Sequence, residues 1–434
     1  FRRESEMKLT DAEKAMLDGK EGPARQRAMD LLVRYGEALG AEWLVDTNNV
    51  CATVGATTPF LRDWAAEHPG GLDAVFSEFS LDSADVIEIP TVKAYTCHVQ
   101  QGIDPEHAQE QGVSAQLVQL YRKGEAYMGR IGVQLLNTCA PYQVGNVPVK
   151  GEHCAWMESS AVIYCNGALG ARTNAEGRES AGAAMLTGKI PYWGYHLDQN
   201  RLGTHLVEIE VEVKDTADWG LLGYYVGEVV QERIPVLNGI KHVPNLARLK
   251  HFGAAAASSG GVEMYHVVGI TPEAPGLEAA FGGRKPLAAL KYGAAQRRQA
   301  YEQVNSTGRD RQVDYVMLGC PHYSLDQLWE ACQLLEGQRV HENTSLWIFT
   351  PSATKQIADR NGYTKIITDA GGVLMTDNCS AFGRVMPKGT KVAAVDSAKQ
   401  AHYLPAIMGV QAWFGTTAEC IQAAVTGRWS GGMR

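Results

Sequence analysis

Between Val313 and Cys379 the chain repeats one unit: a short apolar run, a turn, and then an amphipathic run long enough for a helix. "VDYVMLGCPH" reads as strand then turn, and "SLDQLWEACQLLEG" as a helix with Ser324 as N-cap and Gly337 at its end. "TSLWIFT" is a strand, "SATKQIADRNG" a helix, and "GGVLMTDNC" a further strand reaching Cys379. Strands joined through helices pair in parallel, and helices then cover the sheet. The alternation predicts an α/β fold.

The remaining segments suit that class. "LTDAEKAMLDGKEGPARQRAMDLLVRYGEALGAEWL" reads as two helices separated by Gly22-Pro23, the first capped by Thr10 or Asp11. "LVDTNNVCATVG" is a short strand opening into a polar loop, and "DVIEIPTVKAY" a strand before the loop "TCHVQQGID". A helix is expected from Ser114 to Tyr127, a strand over "RIGVQLLNTCAPY" ending at Cys139, and another helix after Glu158. "THLVEIEVEVKD" alternates strictly, as a strand does, and "TADWGLLGYYVGEVV" is helical.

With 434 residues, 45 % of them hydrophobic, two or three units can each bury a core. The expected division is 7–204, an inserted α+β unit 205–310, and 311–434. Residues 1–6 read as a tag or linker remnant before a native start at Met7.

A formal charge of −8 argues against nucleic acid or an anionic membrane as partner, although a small anionic substrate is compatible with it. "FRRESEMKLT" has no apolar core behind its arginines, so it is no signal peptide. The apolar stretch "AHYLPAIMGVQAWFGTTAECIQAAV" carries a proline, glycines and a glutamate, which speaks against a membrane span. Nine irregularly spaced cysteines, an odd number, do not make a disulfide framework; free thiols in a reducing cytoplasm fit better.

Three of the nine stand alike. Cys139, Cys320 and Cys379 each follow a short apolar strand and precede a turn or helix start. Open parallel sheets bind ligands outside the carboxyl ends of their strands, so distant residues can meet there. Proline follows closely in "CP" and "CAP", and a ligating cysteine before proline occurs in ferredoxins. A buried small residue is the commoner fate of any one such cysteine. No C-x-x-C pair is present, and His322 lies too near Cys320 in sequence for a typical Cys–His nucleophile. Cys165, Cys332 and Cys420 fall in apolar helical runs, while Cys51 and Cys97 fall in polar loops.

These segments also carry a likeness. "LTDAEKAMLDGKEGPARQRAMDLLVRYGEALGAE", "NTCAPY", "ESSAVIYCNGALGARTNAEGR", "GCPH" and "TDNC" resemble the catalytic large subunit or domain of aconitase X, within the aconitase superfamily. The resemblance covers nearly the whole chain from Met7. It implies an aconitase-like α/β fold and an iron–sulfur hydro-lyase acting on a small molecule. Members dehydrate either cis-3-hydroxy-L-proline, to Δ1-pyrroline-2-carboxylate, or mevalonate 5-phosphate. Carried over by motif, Cys139, Cys320 and Cys379 would be the cluster ligands. The absence of C-x-x-C departs from true aconitases and leaves 2Fe-2S, 3Fe-4S and 4Fe-4S clusters all open. The mobile swivel domain of the superfamily has no equivalent here and is expected as a small subunit or a fused domain.

Dehydration needs a Lewis acid for the leaving hydroxyl, a base for the proton beside the carboxylate, and donors for that carboxylate. On the same resemblance Arg172 is the expected carboxylate clamp, with an internal salt bridge as its competing role. Asn166, Thr173, Asn174, Thr96 and His98 are expected to face the substrate. Ser159 and Ser160 would offer hydroxyl or N–H groups, or simply cap the helix, and His322 would support the cluster or move a proton. The loops "DTNNVCATVGATTP" and "KAYTCHVQQGID" show no evident phosphate cradle. That favours hydroxyproline, with phosphomevalonate as the alternative and an iron–sulfur redox or sensor protein as the second.

Overall fold

The computed structural model describes residues 7–53, 89–99 and 102–433, in which sheet-centred units follow one another along the chain. Residues 1–6 and 85–88, and parts of the two loops just quoted, lie outside them.

In the first unit the Thr10 hydroxyl accepts from the Glu13 N–H while Glu13 accepts from the Thr10 N–H, a capping box that starts the helix Asp11–Leu17. Pro23 opens the helix Pro23–Leu39, where its missing N–H costs nothing. The strands are β1 (Leu44–Asp46), β2 (Asn49–Ala52), β3 (Tyr95–His98), β4 (Ala155–Trp156) and β5 (Lys189–Pro191). β3-β2-β4 form a parallel sheet, and β1 pairs antiparallel with β5.

Two expectations change here. Cys51 and Cys97 are not in polar loops: they are register partners on β2 and β3, both fully buried. "RIGVQLLNTCAPY" forms no strand beyond a single bridge from Gln134 to Cys97, because Asn137 turns the backbone into the left-handed region at φ 46°.

The middle unit holds β6 (His205–Ile209), β7 (Pro235–Asn238), β8 (His266–Val267) and β9 (Ala288–Tyr292). Their order is β8-β7-β6-β9 and every pair is parallel, so the unit is α/β and not the expected α+β. β6 stops well short of "VEVKD", since its neighbours end level with it: Asn238 lies opposite Glu208 and Tyr292 opposite Ile209. The helices Thr216–Val230 and Leu246–Gly260 pack face to face through glycines. A Cβ on Gly223 would stand 2.2 Å from the Phe252 carbonyl oxygen, and one on Gly260 1.9 Å from that of Gly227.

The last unit contains β10 (Tyr315–Leu318), β11 (Ser345–Phe349), β12 (Val373–Met375), β13 (Val392–Val395) and β14 (Gln411–Phe414). All pairs are parallel, in the order β12-β11-β10-β13-β14. Both faces are buried. Val316, Leu318, Leu346 and Ile348 enter one core with the helix Leu325–Leu335. Tyr315, Met317, Trp347 and Phe349 enter the other, with Ala398, Ala401 and Leu404 of the helix Ala398–Met408. That explains the near-continuous apolar runs of these strands. No helix among the described residues is long and apolar enough to cross a membrane.

Candidate active site

The strand order of the last sheet reverses between β10 and β13, and such a reversal opens a crevice beyond the strands' carboxyl ends. Cys320 follows β10 by two residues. Asp396, Ser397, Lys399 and Gln400 follow β13. Gly319 makes the first of these possible: its φ is 95°, and a Cβ there would lie 2.2 Å from the Phe349 carbonyl oxygen. Cys379 arrives from β12 through Thr376, Asp377 and Asn378, and Cys139 arrives from the first unit.

His322 joins the three cysteine segments. Its backbone N–H points at Cys139 Sγ, 3.3 Å away. Its Nε2 lies 2.7 Å from the carbonyl of Asn378, the residue before Cys379, so that nitrogen carries the proton and donates. Nδ1 then accepts from the hydroxyl of Thr138, the residue before Cys139, at 3.0 Å. Both ring nitrogens are engaged with the chain, and burial pushes the imidazole down to about 4, which keeps it neutral. The Cys379 segment has a further anchor in the first unit. Asp104 accepts from the Thr376 N–H at 2.9 Å, and Asn378 Nδ2 donates to Gln111 Oε1 at 2.9 Å.

Cys139, Cys320 and Cys379 are all buried, and each lies near enough to another of the three for their charges to interact. Burial raises all three thiols, Cys379 to about 12. Gln400 Nε2 points at Cys379 Sγ from 3.9 Å. Three soft sulfur donors from three chain segments suit an iron–sulfur cluster, whose irons share the ligands among them. Among the described residues no three His, Cys, Asp or Glu are gathered tightly enough to hold one ion.

A charged pair flanks the thiols. Glu158 caps the helix Ser159–Gly167 by accepting from the Ala161 N–H at 2.8 Å, and it also accepts from Ser160 Oγ at 2.6 Å. Lys399 Nζ donates to its other oxygen at 2.6 Å and stands 3.5 Å from Ser160 Oγ. Burial is the largest influence on Lys399 and works against its charge, but the Glu158 carboxylate together with the Cys320 and Cys139 sulfurs outweighs it and raises the ammonium above its ordinary range. The charges of Glu158 and Lys399 both reach Cys320 and Cys379.

The other expected site residues are placed as follows. Ser160 is beside Glu158, while Ser159 opens the helix and leaves its cap to Glu158. Asn166 and Thr173 bond each other: Asn166 Nδ2 donates to the Thr173 carbonyl at 2.8 Å, and the Thr173 N–H to Asn166 Oδ1 at 3.0 Å. Thr173 Oγ1 also accepts from the Trp156 N–H. Arg172 pairs with Asp198 and donates to the His196 carbonyl. Asn174 Oδ1 accepts from the Tyr195 N–H at 2.8 Å. Thr96 Oγ1 donates to the Ala94 carbonyl, and His98 Nδ1 lies 3.1 Å from Asn137 Oδ1. Buried Arg201, which carried no sequence signal, donates to the Ala171 carbonyl and to Asn166, and pairs with Glu273. The "NGALGARTN" turn is thus clamped from within. Glu158, Lys399 and Gln400 also escape sequence reasoning. Lys399 and Gln400 could have been found as the residues after a fourth strand end, which bears no cysteine to mark it.

Models of the aconitase X first, second and third domains match residues 6–199, 203–302 and 313–426. The phosphomevalonate dehydratase large subunit of Methanocaldococcus jannaschii is 35% identical over 422 residues, 96% of this chain and 100% of that one. The cis-3-hydroxy-L-proline dehydratase of Pseudomonas aeruginosa is 34% identical over 435 residues, 98% of this chain and 71% of that one. The crystal structure of holo-form aconitase X from Thermococcus kodakaraensis superposes with a TM-score of 0.80 at 30% identity, covering 96% of this chain and 100% of the other.

Proposed function

The chain belongs to the aconitase X family and is a hydro-lyase, and from that premise we propose that it removes water from mevalonate 5-phosphate at a site where Cys139, Cys320 and Cys379 hold an iron–sulfur cluster. The meeting of three thiol-bearing segments around His322 supports the chemical part of this reading. The substrate rests on the relatives. The match to the Methanocaldococcus jannaschii large subunit runs over that whole protein and is slightly closer than the match to the Pseudomonas aeruginosa hydroxyproline enzyme. Hydroxyproline, the substrate expected from two loops without a phosphate cradle, becomes the second reading; residues 54–59 and 100–101 of those loops lie outside the described ones. The large-subunit relative also supports a small subunit as partner.

When bound, the cluster would supply a Lewis acid for the departing hydroxyl. The chain's own residues do the remainder. Lys399, nearly buried beside the thiols, is the cation that meets negative charge as it builds on the substrate carboxylate. Glu158, fixed by Ser160, the Ala161 N–H and Lys399, is a positioned acceptor for the proton next to that carboxylate. As that proton passes to Glu158, the C–H electron pair becomes the new C=C bond and the C–O bond breaks; the departing hydroxide takes up the proton from Glu158, so that water is released and the carboxylate restored. His322 holds the three cysteine segments at fixed spacing.

The test is an assay of anaerobically purified chain with its small partner on both substrates, alongside iron content and visible absorption. Water loss from phosphomevalonate alone is expected. Turnover of hydroxyproline with none of the phosphate ester sinks the substrate choice, and full activity in colourless, iron-free protein sinks the cluster.

A further inference from the structure

The helix Leu246–Gly260 carries a lysine on a side where its neighbours Leu249 and Phe252 enter the main core. Lys250 is 1% exposed. Its ammonium has three protons and three acceptors: the His322 carbonyl at 2.7 Å, Gln143 Oε1 at 2.9 Å and Gln327 Oε1 at 2.5 Å. All three acceptors are neutral, and no ion pair among the described residues includes Lys250. A buried ammonium in such surroundings is costly unless negative charge lies close by. Burial pushes Lys250 down to about 8, against the pull of Cys139, Asp326, Asp396 and Cys320.

The acceptors are not scattered. Gln143 lies four residues after Cys139, and His322 two after Cys320. Gln327 is in the first turn of the helix behind that cysteine. Gln143 Nε2 donates to the same His322 carbonyl at 3.0 Å, so both turns meet at one oxygen. A side chain of the middle unit therefore ties a cysteine turn of the first unit to one of the last. With its donors spent on the chain, Lys250 has none left for substrate.

We propose that Lys250 is a positioning residue of the cysteine centre: it holds the Cys139 and Cys320 turns together, and its charge offsets the negative charge that bound thiolates bring to the site. The proposal rests on these cysteines being cluster ligands.

The test compares wild-type chain with Lys250→Met and Gln143→Leu, each purified anaerobically with its small partner. Iron and sulfide per chain, the rate of iron loss to a chelator, and the midpoint potential are measured. Lys250→Met keeps the shape and loses the charge. It should release iron several-fold faster, and its remaining centre should have a more negative potential, because a lost cation disfavours the reduced form. Gln143→Leu keeps the cation and loses one tie, so iron release quickens while the potential stays near wild type. A folded Lys250→Met protein with wild-type release and potential overturns the proposal. If that variant does not fold, wild-type iron release in Gln143→Leu overturns it. Wild-type protein that takes up no cluster overturns the ligand reading itself, and the role of Lys250 with it.

Discussion

His322 and Lys399 show how differently two side chains beside one set of thiols are used. His322 spends both ring nitrogens on Thr138 and Asn378, so its imidazole works as a neutral strut between chain segments. Lys399 spends its charge on one carboxylate, within reach of Ser160. Lys399→Met should therefore lower kcat/KM by roughly 10²-fold or more while iron content stays at the wild-type level. A variant that loses its iron along with its activity would make Lys399 a support of the cluster instead. Nothing local in "DSAKQ" distinguishes this lysine from a solvent-facing one. Its role comes from β13 lying beside β10.

At the scale of elements, the site depends on close approach. Gly223 lets the helix Thr216–Val230 sit against the Phe252 backbone, two residues beyond Lys250. Gly223→Ala would place a methyl group inside that contact and push the two helices apart. The expected loss is about 1–3 kcal/mol of stability, read from denaturant midpoints, with faster iron loss because Lys250 moves with its helix. An unchanged midpoint would mean that the helix pair relaxes freely. The capped helices are legible in the sequence: Ser324, Ser114 and Glu158 start theirs where the pattern changes. The absence of a strand before Cys139 is not legible there, because an extended apolar run has the same composition whether or not a neighbouring strand accepts it.

Across the whole molecule, buried histidines lower stability in acid, while burial raises the carboxyls of Glu176 and Asp377 to about 7 and that of Asp396 to about 6 and works the other way. Burial pushes His196 and His251 each down to about 3. In the unfolded chain they bind a proton near pH 6.5. Between pH 6.5 and about 3 the unfolded state thus holds protons at these two sites that the folded state lacks, so their contribution to stability falls as pH drops and is fully present above pH 6.5. Each residue contributes a slope of up to about 1.4 kcal/mol per pH unit. His251→Gln should flatten the acid limb of stability measured by denaturant titration, and an unaltered slope would show that His251 titrates normally in the fold.

Alternation of short apolar runs with capped amphipathic runs is a local property, and it was enough to determine the α/β class, most helix starts and the strand ends that precede Cys320 and Cys379. Those follow from hydrogen-bond geometry within a few residues and from the need to cover both faces of a parallel sheet. Strand order was decided only in the tertiary structure, since it depends on which runs pair across long separations. That order puts Cys320 and Lys399 on one crevice, brings Cys139 in from the first unit, and sets Lys250 of the middle unit between two cysteine turns. A buried ammonium and a buried guanidinium look alike in sequence to exposed ones. Only the packing around Lys250 and Arg201 tells them apart.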